Sequence, residues 1–294
     1  MLPSKSLDDP KRVRRSPIAA SLLAAFLLSS SVAITTGKPR QAPKFHVSTQ
    51  PELAVDVALA PCKNKERLNA VKSLFIKNGA AEDEIAVEKL GSVENLIVRK
   101  KGKSAETIVV GAHYDKVSDG CGAIDNWTGI VAVAHIFKAF KDYPIEKSMI
   151  FVAFGKEESG LEGSRAMVKA FKNDEVPSYC AMVNIDSLGM GGISIIDNVS
   201  SEPMCKLAVA LAKRLELKIG RASLNNADTD SSSFVRRKIP AITITGIING
   251  WEKVLHHDQD QVKQINMLGV YVGYWFALSM VGELQDLPCD ATRK

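Results

Sequence analysis

The chain has 294 residues, 46% of them hydrophobic, so it can bury a substantial core and most of it should form one domain. Its formal net charge of +5 comes entirely from residues 1–40, where seven Lys or Arg stand against two Asp. The remainder is formally neutral and carries no basic strip, which argues against a nucleic-acid-binding protein.

The first forty residues have the pattern of an export signal. Basic residues between Lys11 and Arg15 precede an uncharged, apolar run from Pro17 to Gly37. Small residues make cleavage after Ala33 plausible, but the run could also be retained as a membrane anchor. We therefore expect residues 1–40 to be a signal peptide or signal anchor. The rest would then work in the periplasm or outside the cell, and would touch a membrane only if the apolar run is retained.

A linker or N-terminal extension is expected over residues 41–59, a single folded domain over 60–285 and a tail over 286–294. The domain alternates helix-like stretches with short, apolar, mostly β-branched segments, which suit a sheet covered on both faces. The strands are predicted at 94–99, 107–113, 149–154, 181–185, 193–196 and 241–245. The helices are predicted at 68–78, 128–141, 160–172, 202–215 and 261–283. This order predicts the α/β class, as a three-layer α/β/α sandwich around a mixed, mostly parallel sheet.

The last predicted helix has two interpretations. Residues 265–282 carry no charged side chain and include Gly269 and Gly273 at a spacing found in membrane helices. Asn266, Ser279 and two tyrosines weaken that interpretation, and a helix packed inside a protein is also apolar nearly all round. We favour a core helix.

The five cysteines are too few for a disulfide scaffold, and their odd number leaves at least one unpaired in a monomer. Cys180 and Cys205 lie in apolar runs and are predicted to be small buried side chains. Cys62 and Cys289 flank the folded part and are the pair that we expect to form a disulfide, if one exists.

Potential metal ligands occur at or just past the ends of predicted strands, where open α/β sheets place their sites. His113 ends a strand, and Asp115 two residues later would face the same side and could accept the second imidazole N–H. Asp125 precedes a helix and could bridge two ions through its two oxygens. Taken singly, His113 could be an ordinary surface histidine and Asp125 a helix cap or turn residue.

Further candidates follow the later strands. Glu157 and Glu158 come after the apolar segment MIFVAF, so one could bind metal while the other handles a proton; alternatively, both are solvated glutamates of a first helical turn. Asp186 ends the next strand, where a buried charge needs a partner, a metal or water. His256 and His257 precede two aspartates, but only one of them should reach an ion. Carboxylates and imidazoles together suit a catalytic zinc site, whereas a structural site would use cysteines.

The candidates lie in six short segments: GAHYD (111–115), GAIDNWTG (122–129), FGKEESGLEGSR (154–165), VNIDSLG (183–189), DTDSSSF (228–234) and LHHDQDQ (255–261). Together and in this order, the segments resemble the motifs of the family-28 zinc metallopeptidases. The resemblance covers roughly residues 60–280. It implies a zinc peptidase with an α/β/α sandwich, a cis peptide bond from Asp125 to Asn126, and two zinc ions per chain.

The resemblance also implies a role for each candidate. One zinc would be held by His113 and Asp186, the other by Glu158 and His256, with Asp125 bridging them and Glu157 as general base. His256 is chosen over His257 because the family's ligand histidine lies four residues before an aspartate, here Asp260. The chain departs from the family's pattern at His257, where a small residue is usual, and at Ser231, where many members have histidine.

The function expected from the resemblance is that of an exopeptidase acting on peptides. An aminopeptidase is favoured over a carboxypeptidase, because the motifs have no arginine cluster nearby except Arg236 and Arg237. Candidates to line a substrate pocket are Trp127, Asp230, Phe234 and Trp251, although ordinary core packing is the favoured interpretation of the three aromatic residues. Glutaminyl cyclisation with a single zinc is an alternative, against which the retention of His113 argues. A catalytically silent binding protein of the same fold is another, but such relatives typically lack ligands or the base.

Overall fold

One mixed sheet of eight strands lies at the centre of the described chain. The structure, a computed structural model, describes residues 45–225 and 227–293, so the predicted targeting segment lies outside the described residues. The strands are β1 (Ile85–Leu90), β2 (Val93–Lys100), β3 (Ser104–His113), β4 (Lys147–Phe154), β5 (Tyr179–Asp186), β6 (Ser194–Ile196), β7 (Gly220–Ala222) and β8 (Ala241–Thr245).

The strand order across the sheet is β1-β2-β4-β3-β5-β8-β6-β7. The four central strands β4, β3, β5 and β8 run parallel to one another. The pairs β1–β2, β2–β4 and β6–β8 are antiparallel, and β6–β7 is parallel. Because the central strands are parallel, their carboxyl ends meet at one edge of the sheet.

Helices cover both faces of this sheet. They are α1 (Gln50–Val57), α2 (Asn64–Lys77), α3 (Thr128–Phe140), α4 (Glu162–Ala170), α5 (Glu202–Arg214), α6 (Asp230–Arg236) and α7 (Met267–Asp286). Buried side chains of α1, α2, α3, α5 and α7 form the larger core with one face of the sheet, and those of α4 and α6 form a smaller core with the other face. The predicted fold, a three-layer α/β/α sandwich in a single domain, is therefore confirmed.

Strand β3 illustrates why the central strands are apolar along their whole length. Ile108 and Val110 belong to the larger core, whereas Val109 between them belongs to the smaller one. Successive side chains of a strand point to opposite faces, so a strand between two helix layers needs apolar residues at every position.

Elements at the margins of the fold were not predicted. Strands β1 and β7 are the two edges of the sheet, where Lys89 and Arg221 are exposed and Glu88 is half-buried. Helix α6 begins with Asp230 and three serines, which favour turns and caps over helices in isolation. These elements form because they pack on neighbours, which a local sequence pattern does not report.

Helix α1 lies in the segment expected to be a linker or N-terminal extension. Thr49 caps it in a capping box with Glu52, and Leu53 and Val57 are buried in the larger core. The Trp127 indole N–H donates to the backbone oxygen of Asp56 at 3.0 Å. The helix is therefore an integral part of the folded unit.

Helix α7 is, among the described helices, the one long and apolar enough to cross a membrane by length and composition. It packs instead within the larger core through buried residues such as Tyr274 and Phe276. A Cβ added to Gly273 would lie 2.6 Å from the side chain of Leu188, and one on Gly269 would lie 2.5 Å from the backbone oxygen of Gly191. The two glycines thus allow close packing on the segment that follows β5.

The predicted disulfide between Cys62 and Cys289 is wrong. Cys62 is bonded to Cys121, and Cys180 is bonded to Cys289. Cys205 is free and buried, as predicted, whereas Cys180 is a disulfide partner and not a simple apolar side chain. Sequence position alone could not pair them, because the fold brings the start of β5 next to residue 289 across 109 residues of chain.

Candidate metal centre

The candidate ligands meet at the edge of the sheet where the parallel strands end. His113 and Asp186 are the last residues of β3 and β5. Glu157 and Glu158 follow β4 after two intervening residues. Asp125 lies in the irregular turn at residues 123–127 that leads into α3, and His256 lies in the long loop between β8 and α7.

His113 is buried and faces three carboxylates. Its Nε2 atom lies 3.1 Å from Oδ1 of Asp125, 3.6 Å from Oδ1 of Asp186 and 4.0 Å from Oε2 of Glu157. The other ring nitrogen, Nδ1, lies 3.2 Å from the backbone oxygen of Asp115. This side of the site therefore gathers one imidazole and three acidic groups.

His256 forms the second half of the site. Its Nε2 atom lies 3.1 Å from Oδ2 of Asp125 and 3.1 Å from Oε2 of Glu158. The two oxygens of Asp125 thus face different histidines, with Oδ1 towards His113 and Oδ2 towards His256. The Asp125 carboxylate therefore lies between the His113 half and the His256 half of the site, as a ligand that bridges two metal ions must.

The carboxylate of Asp115 has a different position from the predicted one. Its Oδ1 atom is 3.8 Å from Nδ1 of His113, further than the backbone oxygen of the same residue. Instead the carboxylate accepts the backbone N–H of Glu157 at Oδ1, at 2.9 Å, and that of Glu158 at Oδ2, at 3.2 Å. Asp115 therefore joins the end of β3 to the segment that carries both glutamates.

Asp260 has a structural role at the site. Sequence analysis used this residue only as a spacing mark for identifying His256. Its carboxylate accepts the backbone N–H of Ile124 at 2.6 Å and that of Asp125 at 3.1 Å. It therefore ties the turn carrying Asp125 to the loop carrying His256. The sequence signal for this role was the four-residue spacing between His256 and Asp260. That spacing indicates that the two residues belong to one motif, but it does not show which groups Asp260 contacts.

The turn that presents Asp125 is held by Asn126. The peptide bond between these residues is cis, as the resemblance implied. The Asn126 side chain donates to the backbone oxygen of Ile185 at 2.9 Å and accepts the N–H groups of Gly129 and Ser187 at 3.0 and 3.1 Å. Asp125 is thereby fixed relative to α3 and the end of β5.

The electrostatics of this cluster favour a bound cation. Burial would lower the pKa of His113, but the carboxylates of Glu157, Asp125 and Asp186 outweigh it and raise this pKa well above its ordinary value. Hydrogen bonds with Asp125 and Glu158 raise the pKa of His256 to about 10. Burial, together with neighbouring carboxylates, raises the pKa of Glu157 well above its usual range. The negative field that stabilises two imidazolium groups also suits divalent cations.

The donor set fits hard or borderline metal ions. Ligand atoms of His113, Asp125 and Glu158 lie within 4.8 Å of one another, and so do those of His113, Glu157 and Asp186. The buried Oε1 atom of Glu158 has no hydrogen-bond partner in the described part of the chain. Imidazole and carboxylate donors together are those of zinc sites that perform chemistry.

A cleft opens beside the cluster. Apart from the candidate ligands and Glu157, it is lined by Ser187, Ile196, Leu224, Ala227, Asp228, Thr229, Thr243, Thr245, Ile247, Trp251 and Leu255. The wall is therefore largely aliphatic, with one indole and several hydroxyl groups. Sequence analysis missed most of it because these residues come from separate strands and loops.

Three of the four residues proposed for the substrate pocket lie elsewhere. Trp127 is buried with its N–H on the backbone of α1, and Phe234 is buried in the smaller core. Asp230 is also fully buried, and burial raises its pKa to about 7. Only Trp251 lines the cleft. Ser231, which departs from the family's pattern, is buried and donates to the backbone oxygen of Val199 at 2.7 Å.

Comparison with known proteins places this arrangement in a family. Residues 95–270 match the model of peptidase family M28. Over 99 residues, or 33% of the chain, the sequence is 34% identical to aminopeptidase YwaD of Bacillus subtilis, and the match spans 22% of that protein. The chain thus corresponds to only part of this relative's length.

Two solved structures share the fold. A zinc aminopeptidase from Bacillus subtilis superposes with a TM-score of 0.59 at 21% identity, over 67% of this chain and 52% of that one. A glutaminyl cyclase from an Acidobacteriales bacterium gives a TM-score of 0.69 at 17% identity, over 86% of this chain and 99% of that one. Because the family model matches more than half of the sequence, the chain belongs to peptidase family M28.

Proposed function

We propose that the protein is an aminopeptidase that holds two zinc ions and removes residues from the N-terminus of peptides. The observation that carries the proposal is the position of Asp125, whose two oxygens each lie 3.1 Å from a different histidine. In the proposed site, His113 and Asp186 would hold one zinc and Glu158 and His256 the other, with Asp125 shared between them. Relatives named aminopeptidase support this assignment.

The chemistry divides between the ions and Glu157. When bound, the zinc ions would supply the positive charge that activates a water molecule and polarises the scissile carbonyl. Glu157 lies 4.0 Å from His113 and borders the cleft, so its carboxylate can take the proton from the attacking water. It then delivers that proton to the departing amine, as a general base followed by a general acid. Asp115 holds the backbone of Glu157 in place for both transfers.

The lining of the cleft offers no positive group for a substrate carboxylate. The described residues that line it include no lysine or arginine, and four of its five carboxylates belong to the proposed zinc ligands and the general base. Arg236, one of the two arginines near the motifs, is paired with Asp228, and Arg237 donates to the backbone oxygens of Val168 and Phe171. Neither is therefore available to bind a substrate carboxylate, which favours an aminopeptidase over a carboxypeptidase.

The compartment is part of the proposal. The basic and apolar pattern of residues 1–40 is that of an export signal. The two disulfides of the folded unit agree with it, because such bonds persist mainly in oxidising surroundings. We infer that the protein acts outside the cytoplasm.

A Glu157→Gln variant tests the proposal together with the wild type. Both should take up about two zinc ions per chain, measured by atomic emission after equilibration and gel filtration, and only the variant should lose hydrolysis of aminoacyl anilides. Glu162→Gln, a change of an exposed glutamate in the same segment, is the matched control. Failure of the wild type to take up zinc would favour a silent binding protein.

Substrate panels distinguish the enzymatic alternatives. Free aminoacyl anilides should be hydrolysed, and their N-acetylated forms should not. A requirement for a free carboxylate would support a carboxypeptidase, and cyclisation of a peptide with N-terminal glutamine would support a cyclase. Either result without cleavage of free aminoacyl anilides overturns the aminopeptidase assignment.

A further inference from the structure

We propose that Arg67 and the Cys62–Cys121 disulfide form a clamp that positions the Asp125-bearing turn for metal binding. This inference rests on the proposed function, because it assigns Asp125 and His113 to a metal site. Neither half of the clamp touches the cleft, so both would act through the backbone that carries the ligands.

Arg67 is a buried cation that bonds to backbone oxygens. It lies in α2, and its side chain is fully buried. Its guanidinium donates to the backbone oxygens of Pro61 at 3.0 Å, Cys121 at 3.1 Å, Gly122 at 3.1 Å and Tyr114. No carboxylate is among these hydrogen-bond partners. The fixed fork of a guanidinium can join several oxygens at set angles, which a lysine ammonium cannot reproduce.

The oxygens that Arg67 joins belong to two segments of the proposed metal site. Tyr114 directly follows His113, and Gly122 lies three residues before Asp125. One side chain therefore fixes the exit of β3 relative to the turn that presents the bridging carboxylate. Small displacements of such a turn move a ligand away from both ions at once.

Gly122 shows how closely the arginine fits the turn. This glycine has a φ of 61°, and a Cβ built on it would lie 3.1 Å from Nη1 of Arg67 and 2.9 Å from the backbone oxygen of Asp125. On another side, the guanidinium carbon lies 5.6 Å from the ring centre of Trp127. The contacts enclose the cation between α2, the turn and the start of α3.

The disulfide ties the same turn to the same helix. Cys62 lies two residues before the start of α2, and Cys121 precedes Gly122. Cys121 is buried, whereas Cys62 is exposed. The turn is thus attached to the beginning of α2 by one covalent bond and by two hydrogen bonds from Arg67.

The cation remains charged in this environment. Burial lowers the pKa of Arg67 to about 10, and the negative charges of Asp115 and Asp125 limit the decrease. Arg67 could act through its positive charge or through the geometry of its guanidinium, and the two possibilities predict different zinc affinities for an Arg67→Lys variant. If only the charge mattered, lysine would replace arginine; if the fork holds the turn, it would not.

The test compares Arg67→Lys with wild type and with Arg99→Lys, a change of a half-exposed arginine on β2. Folding is checked by circular dichroism, zinc affinity by competition with a chromogenic chelator, and ligand geometry by the absorption spectrum of the cobalt-substituted protein. For Arg67→Lys we expect a folded protein whose zinc dissociation constant is about 10- to 100-fold higher, the usual cost of losing a group that orients metal ligands, with an altered cobalt spectrum. Arg99→Lys should match the wild type.

A second variant covers the case in which Arg67→Lys does not fold. Cys62→Ser combined with Cys121→Ser keeps Arg67 and frees the turn from the covalent tie, and it should also weaken zinc binding and change the cobalt spectrum. If the Arg67→Lys protein folds and has the wild-type zinc affinity and cobalt spectrum, the clamp is overturned. If Arg67→Lys does not fold, the same result in the double serine variant overturns it. Absence of zinc binding by the wild type would instead overturn the proposed function, and the clamp with it.

Discussion

His135 of α3 and Asp56 of α1 form a buried pair, with Nε2 of the imidazole 3.0 Å from Oδ2 of the carboxylate. The side chain of Lys77 also contacts Asp56, and Ser48 Oγ lies 2.7 Å from Nδ1 of His135. Serine, histidine and aspartate thus form a hydrogen-bonded series, and all three are buried. Their role is to fasten α1 to the core.

The Asp56 pair should make stability depend on pH. Burial raises the pKa of Asp56, but hydrogen bonds from His135 and Lys77 outweigh it, so the net pKa is below its ordinary value. The pair therefore stabilises the fold above the pKa of an unfolded aspartate, about 4, and this contribution is lost as the pH falls through the lowered folded value. Asp56→Asn should destabilise the protein by about 3 kcal/mol at pH 7.

Urea unfolding measured between pH 7 and pH 3 checks this expectation. The difference between wild type and Asp56→Asn should shrink as the pH falls below about 4, since both proteins then approach a neutral group at this position. Asp142→Asn, at an exposed aspartate paired with Lys141, should change little at any pH. A difference that stayed constant down to pH 3 would contradict the assignment.

Asp115 should be essential for the position of Glu157. An asparagine has one acceptor oxygen, so Asp115→Asn leaves one of the two backbone N–H groups of Glu157 and Glu158 facing an NH₂ group. We expect kcat to fall about 10- to 100-fold. Steady-state kinetics with an aminoacyl anilide measures it, and Asp119→Asn in the exposed part of the following loop is the control. Equal kcat values in the two variants would show that the Asp115 carboxylate is dispensable.

The adjacent histidines should differ sharply. Both histidines are exposed, but it is the His256 imidazole that contacts Asp125 and Glu158. His256→Ala should lower zinc content, measured by metal analysis after dialysis, and reduce activity by at least about 100-fold, as expected for a lost ligand. His257→Ala should keep both. The reverse result would place the ligand at His257 and change the proposed site.

Gly129 and Gly282 give a matched pair of helix positions. A Cβ at Gly129 would lie 2.2 Å from Oδ1 of Asn126 and 2.4 Å from the backbone oxygen of Ile185, so Gly129→Ala should displace the Asn126 side chain. We expect a destabilisation of about 1–3 kcal/mol together with lost activity. Gly282 has no atom within 4 Å of such a Cβ, and Gly282→Ala should stabilise α7 by about 0.5–1 kcal/mol. Thermal unfolding of both variants measures these changes in stability.

The central strands were predictable because each has a local signal, whereas the six candidate side chains are ambiguous singly and were selected by the family's motifs. A strand buried on both faces is apolar throughout, and a charged residue at its end, such as Asp186, stands out. The rest depends on contacts between distant segments. Nothing near Arg67 in the sequence reports that it reaches Gly122, and an aromatic residue beside a motif, such as Trp127, can turn inwards as easily as towards a cleft.

The pairing of the cysteines was also not predictable from the sequence. Pairing Cys62 with Cys121 requires the start of α2 to lie against the turn before α3, a relationship that only the folded chain creates. The same holds for Asp115, whose carboxylate serves the segment after β4 instead of its neighbour in the chain. Local pattern identified the chemical groups, and the three-dimensional fold determined what each one orients.

The bond from Cys180 to Cys289 has a practical consequence for handling the protein. It secures the final turn of the chain at the beginning of β5, and Arg293 adds a hydrogen bond to the backbone oxygen of Tyr179 at 2.7 Å. Asp186 ends the same strand, about 20 Å away at the usual rise per residue. Resin or biosensor attachment through the carboxyl terminus should therefore leave the cleft facing the solution, where substrates can enter it freely.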